Sequence, residues 1–155
     1  MKVLIIGGYG TFGGRIVELL ESARALSLIV AGRSLNSAKK YCASRGQTAA
    51  LLMAAQFDRD GDLAAQLAFI GPDVVVDASG PFQAYGDGAY RLVDACVVAR
   101  IHYLDLADGS AFVDGVAAYD ERARDAGIYV LSGVTSFPVL TAAVVRKLAA
   151  PLAHR

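Results

Sequence analysis

Short runs of aliphatic residues alternate along the chain with longer stretches in which apolar positions recur every three or four residues. Val3-Leu4-Ile5-Ile6 reads as a buried strand, and Phe12, Ile16, Leu19 and Leu20 follow it at helical spacing. A second strand is predicted over Leu28 to Ala31. A helix then follows, with Ser34 and Ser37 as candidate caps, Leu35, Ala38, Tyr41 and Cys42 on one face, and Gly46 as its stop. Ala50 to Ala55 is expected to be a third strand, although alanine and methionine are indifferent strand formers. Leu63, Leu67 and Ile70 mark a helix, Gly71-Pro72 a junction, and Val74 to Val76 a fourth strand. Ala89, Leu92, Val93, Cys96 and Val97 form the next helical stripe. His102 to Leu106 reads as a fifth strand. Val113, Val116, Ala117 and Ala123 read as one helix ending at Gly127, Ile128 to Leu131 as a sixth strand, and Thr141 to Leu152 as a last helix.

Strands that alternate with helices pair in parallel through right-handed crossovers. The expected fold is therefore α/β and doubly wound, a mainly parallel sheet of about six strands in the order 3-2-1-4-5-6. The expected division is a dinucleotide-binding domain over residues 1–140, with residues 141–155 as a C-terminal helix that starts a second domain.

Composition agrees with buried central strands: 55% of the 155 residues are hydrophobic and 19% charged, with a mean hydropathy of +0.43. Fifteen basic residues balance fifteen acidic ones, so no overall field draws the chain to nucleic acid or membrane. No apolar run reaches the roughly 18 residues of a membrane span. Cys42 and Cys96 both fall in apolar helical patterns, as buried reduced thiols of a cytoplasmic protein would.

Gly8-Tyr9-Gly10-Thr11-Phe12-Gly13 fits GxGxxG and joins the first strand directly to the first helix, the context in which this pattern binds dinucleotides. The glycines permit a tight turn, close approach of backbone to a diphosphate, and close helix–strand packing. Gly7, Gly10 and Gly13 also satisfy GxxGxxG. NAD-selective sites place an acid at the end of the second strand to hold the ribose hydroxyls. Gly32-Arg33-Ser34 stands there instead, an arginine fork and a hydroxyl suited to a 2′-phosphate. NADP(H) is the expected cofactor, with NAD(H) the weaker candidate. Asp58, past the third strand, is a candidate acceptor for the adenine amino group or, equally, a helix-initiating acid.

Where the fourth strand leaves the sheet, Ala78-Ser79-Gly80-Pro81 is expected to lie against the ribose and nicotinamide. Four segments then resemble a known family, the NADP-binding domain of saccharopine dehydrogenase-like oxidoreductases. They are VLIIGGYGTFGGRI (3–16), AGRS (31–34), DASGPFQAYG (77–86) and ACVVARIHYLDLADG (95–109). The resemblance implies cofactor contacts for Gly8 to Gly13, Arg33, Ser34 and Ala78 to Pro81. It implies a second, substrate-binding and dimer-forming domain, with a homodimer as one expected assembly. The chain departs from the family pattern at Ala107-Asp108-Gly109, where Gly-Glu is usual, and at Val134 to Pro138.

An acid–base pair for hydride transfer is not legible. No tyrosine is followed four residues later by lysine, His102 reads as structural or exposed, and His154 lies in the terminal tail. Tyr103, Asp105 and Asp108 alternate near a strand end, either facing the site or capping the next helix. The leading expectation is the cofactor domain of an NADP-dependent oxidoreductase acting on an imine, amine or carbonyl, catalytically incomplete alone. A nonenzymatic NAD(P)-sensing regulatory domain and an atypical short-chain reductase are the alternatives.

Overall fold

The computed structural model describes residues 1–149. Six strands, β1 (Lys2–Ile6), β2 (Ser27–Gly32), β3 (Leu51–Gln56), β4 (Val74–Asp77), β5 (His102–Asp105) and β6 (Val130–Leu131), form one sheet in the order β3-β2-β1-β4-β5-β6. Every pairing is parallel. The connections carry α1 (Thr11–Leu20), α2 (Leu35–Ser44), α3 (Leu63–Ile70), α4 (Arg91–Ala99), α5 (Ser110–Val116) and α6 (Asp120–Ala126), and α7 (Ser136–Ala149) follows β6. This is the doubly wound order expected from the sequence. No helix among the described residues is long and apolar enough to cross a membrane.

Alternation along the strands builds two cores. Val3, Ile5, Leu28 and Val30 point to one face, beneath Val17 of α1 and Ala38 of α2. Leu4, Ile6, Ile29, Val75 and Tyr103 point to the other, beneath Leu63, Leu67, Leu92, Cys96 and Ala123. Each such aliphatic side chain, withdrawn wholly from water, contributes about 1.5–3 kcal/mol before entropy. β3 tolerates its Met-Ala-Ala run because it is the sheet edge, paired only with β2 and half-buried.

The structure corrects five details. Phe12 and Leu19 are exposed, and α1 instead buries Gly13, Gly14 and Val17. Gly13 lies against the Gly7–Gly8 turn and Gly14 against the Tyr41 ring of α2, so most of this buried face is glycine, which hydrophobic periodicity does not register. The expected single helix around Val113 to Ala123 is broken by a 3₁₀ turn over Ala117–Tyr119. The turn re-aims the chain, so that Phe112 and Val116 pack with Phe82 and Ala107 while Ala123 joins the main core. β6 is shorter than expected because the Ile128 N–H closes α6 onto the Ala123 carbonyl and the Tyr129 N–H donates to His102 Nδ1. Cys96 is buried, but Cys42 is only half-buried. Burial lifts both thiols, that of Cys96 to about 12. The last helix begins at Ser136, ahead of the expected Thr141; Leu152 and His154 lie outside the described residues.

Candidate functional site

The carboxyl ends of β1, β2, β3 and β4 open onto a crevice of about 510 Å³, within the range of small-molecule and cofactor sites. Its floor is the glycine turn. The N–H groups of Gly7 and Gly8 both donate to the Ala31 carbonyl, at 2.8 and 3.1 Å, tying the turn to β2. Gly7 has φ +75°, and a Cβ there would stand 2.7 Å from the Ala78 carbonyl oxygen of the loop after β4. A Cβ on Gly13 would collide with the Gly7 backbone. Gly10 is different: it caps α1, and its Cβ would meet only the Gly7 carbonyl, at 3.2 Å. Both glycine spacings of the motif are therefore in use, Gly7, Gly8 and Gly13 for packing and Gly10 at the open rim. At the start of α1, Thr11, Phe12 and Gly13 have no intrahelical acceptor for their N–H groups, no side chain caps them, and the first turn has no acid. Such a helix start favours an anion.

At the end of β2 the Tyr9 ring lies over Gly32, where a Cβ would come within 2.8 Å of its ring carbons. The Tyr9 hydroxyl accepts the Ser34 N–H at 3.1 Å. Ser34 caps α2, its Oγ accepting from the Ser37 N–H at 3.2 Å and from the Ser37 hydroxyl at 3.0 Å. Arg33 is exposed on the wall of the crevice, and its guanidinium makes no hydrogen bond or ion pair among the described residues.

At the end of β4 stands a buried polar cluster. Asp77 is fully buried and pairs with Arg59. Its other oxygen accepts the Ser79 N–H at 3.0 Å and the Ser79 hydroxyl at 2.6 Å. Because Ser79 gives its proton to the carboxylate, the Tyr85 hydroxyl 3.2 Å away must donate to Ser79. The Arg59 guanidinium also stacks on the Tyr85 ring, 3.8 Å from its centroid. Burial raises the Asp77 carboxyl above its ordinary range, and Arg59 and the Ser79 hydrogen bonds draw it back. Burial likewise raises the Tyr85 phenol, with the Asp77 charge adding to it.

Residues 3–131 match the family described as the saccharopine dehydrogenase NADP binding domain. The chain belongs to this family. No curated protein matches it. Among solved structures it is similar to a hydroxysteroid dehydrogenase from Escherichia coli, at TM-score 0.65 and 13% identity over 84% of this chain and 70% of that one. It is also similar to a biliverdin reductase from Synechocystis, solved with biliverdin and NADP+, at TM-score 0.56 and 18% identity over 84% of this chain and 37% of that one. A short-chain dehydrogenase/reductase family oxidoreductase from Burkholderia thailandensis matches at TM-score 0.57 and 15% identity, over 84% of this chain and 66% of that one. At these identities the likeness is one of fold. The chain spans between about a third and 70% of these structures.

In this NADP-binding domain, the sequence-predicted Tyr9, Gly10, Gly32, Arg33, Asp58, Ala78, Ser79 and Gly80 come together on the crevice wall. Gly8 and Gly13 are buried behind it, and Thr11, Phe12, Ser34 and Pro81 are exposed outside its lining. Asp58 initiates no helix; its Oδ1 accepts the Asp60 N–H, and Asp62 caps α3. Asp105 neither caps a helix nor faces the crevice, but holds the ends of β5 and β6 from a buried position. His102 is structural: besides accepting the Tyr129 N–H, it stacks on the Tyr129 ring. Arg59, Tyr85 and Asp77 were missed by motif reading. The one signal was an aspartate closing each of two apolar strands, VVVD and HYLD. The cradle fits a dinucleotide: Gly10 leaves room at the rim that a side chain would fill, the start of α1 has N–H groups without an intrahelical acceptor, and an arginine unpaired among the described residues faces the crevice.

Proposed function

We propose that this chain is the cofactor half of an NADP-dependent oxidoreductase, holding NADP(H) across the carboxyl ends of β1, β2 and β4. The observation that carries the reading is that Arg33, next to Ser34 in the chain, has a guanidinium unpaired among the described residues, at the strand end where an NAD-selective site would carry an acid. In this reading the free N–H groups at the start of α1 hold the diphosphate, and Arg33 and Ser34 hold the 2′-phosphate. Ala78, Ser79 and Gly80 border the nicotinamide end. Bound cofactor supplies or accepts the hydride.

The reading extends to an imine, amine or carbonyl substrate whose acid–base groups come from a second domain. What supports an outside source for these groups is the disposition of the two hydroxyls at the end of β4. Ser79 gives its proton to Asp77 and Tyr85 gives its own to Ser79, so neither is free to protonate a substrate. The chain alone should therefore bind cofactor without turnover. Calorimetric titration with NADPH and NADH tests the proposal. Binding of NADPH at least about tenfold tighter than NADH is expected, and binding of neither, or a preference for NADH, would overturn it.

A further inference from the structure

The end of β2 offers protons and little to accept them. The Ser34 Oγ already accepts two hydrogen bonds, from the N–H and the hydroxyl of Ser37, so its own proton must point elsewhere. The Tyr9 hydroxyl accepts the Ser34 N–H, and its proton has no partner among the described residues. The Arg33 guanidinium, a donor with no acceptor capacity, belongs to the same strand end and is unpaired among the described residues. Ribose hydroxyls of NAD(H) carry protons of their own and need an acceptor, whereas a phosphate dianion only accepts.

The position of the Tyr9 ring gives the arrangement its cause. A side chain at residue 32 would project into the volume the ring fills, since even a Cβ there would lie 2.5 Å from the Tyr9 hydroxyl oxygen. Gly32 thus excludes a carboxylate from its own position and seats a phenol there. The hydrogen bond from Ser34 then fixes the phenol oxygen next to Arg33.

We propose that Tyr9 reads the 2′-phosphate of NADP(H) together with Arg33 and Ser34, and is a specificity-determining residue of the site. This rests on the cofactor reading above and adds a donor to it. Calorimetry on the intact chain with NADPH, NADH and 2′,5′-ADP separates the two, using Tyr9→Phe, which keeps the ring over Gly32, and Gly32→Ala, which pushes it away. Circular dichroism melting confirms that each variant is folded. Tyr9→Phe should bind NADPH and 2′,5′-ADP about tenfold more weakly with NADH binding unchanged, and Gly32→Ala should show the same selective loss. If the wild-type chain bound no dinucleotide, the cofactor reading would fall and Tyr9 with it. Wild-type NADPH binding with Tyr9→Phe unchanged would sink the Tyr9 assignment alone. So would equal losses for NADPH and NADH, or tighter NADPH binding by Tyr9→Phe, the sign of a hydroxyl that the phosphate must expel.

Discussion

Asp105 stands directly across the β4–β5 ladder from Asp77, in register, and both carboxylates are fully buried. Asp77 has Arg59 as its cation. Asp105 is held among the described residues by hydrogen bonds alone: its Oδ1 accepts from the Ala107 N–H, the Gly133 N–H and the Ser132 hydroxyl, each at 2.9 Å, while its buried Oδ2 has no hydrogen-bond partner among them. One oxygen thus does the structural task.

Removal and neutralisation of Asp105 should therefore differ. Asp105→Ala strips an acceptor from buried N–H groups and should cost about 3 kcal/mol or more. Asp105→Asn keeps an acceptor at Oδ1 and removes a buried charge beside Asp77 but sets an amide nitrogen in the unpartnered Oδ2 position, and should cost less than Asp105→Ala, about 1–2 kcal/mol. Urea unfolding of the two variants decides; equal losses would mean that the charge itself is needed.

The glycine turn separates folding from binding. Gly7→Ala places a methyl against the Ala78 carbonyl at positive φ and should destabilise by about 2 kcal/mol or more. Gly10 has φ −84°, open to any residue, and a methyl there meets only the Gly7 carbonyl. Gly10→Ala should melt within a few degrees of wild type yet lose NADPH binding by at least about tenfold. A Gly10→Ala chain that binds normally would show that no diphosphate approaches this rim.

Much of this was legible because parallel strands buried on both faces leave unbroken aliphatic runs, such as Val74-Val75-Val76, between glycine and proline punctuation. The β2 end was legible because a charged residue after a buried strand projects into the crevice by topology alone. What escaped depends on contacts that no local pattern encodes. Arg59 lies two residues past Phe57 in a polar loop, and its role comes from Asp77, 18 residues on, and from the Tyr85 ring. Phe12 and Leu19 looked like a core stripe, but Gly13 and Gly14 lie on the buried face instead. The packing of a helix by its glycines is invisible to a scale that counts apolar side chains.

Away from the crevice, Arg45 joins α2 to α1 through a fork on Glu21, with Nε and Nη2 each 2.9 Å from a carboxylate oxygen. The hydrogen bonds from Arg45 lower the Glu21 carboxyl below its ordinary 4.5. A depressed acid contributes stability that is present above its unfolded value and lost as pH falls through the folded one. Wild type should therefore exceed Arg45→Met in urea midpoint above about pH 4.5, and the gap should narrow as the pH falls below that value. A gap constant down to pH 3 would assign Arg45 to packing on Tyr41, which its guanidinium overlies at 6.0 Å.

Arg33 is the sharpest test of cofactor choice, because its charge has no partner among the described residues. Its side chain is exposed and unpaired among the described residues, so Arg33→Ala should change stability by less than about 0.5 kcal/mol. A charge-assisted hydrogen bond to phosphate is worth roughly 1.5–3 kcal/mol, so NADPH affinity should fall about tenfold to a hundredfold while NADH affinity holds. Salt gives an independent readout. Raising ionic strength screens an exposed guanidinium from a phosphate, so wild-type affinity for NADPH should decline with salt more steeply than that of Arg33→Ala, and NADH should show no such difference. Parallel salt slopes for NADPH in the two proteins would place the 2′-phosphate away from Arg33, whatever the loss in affinity.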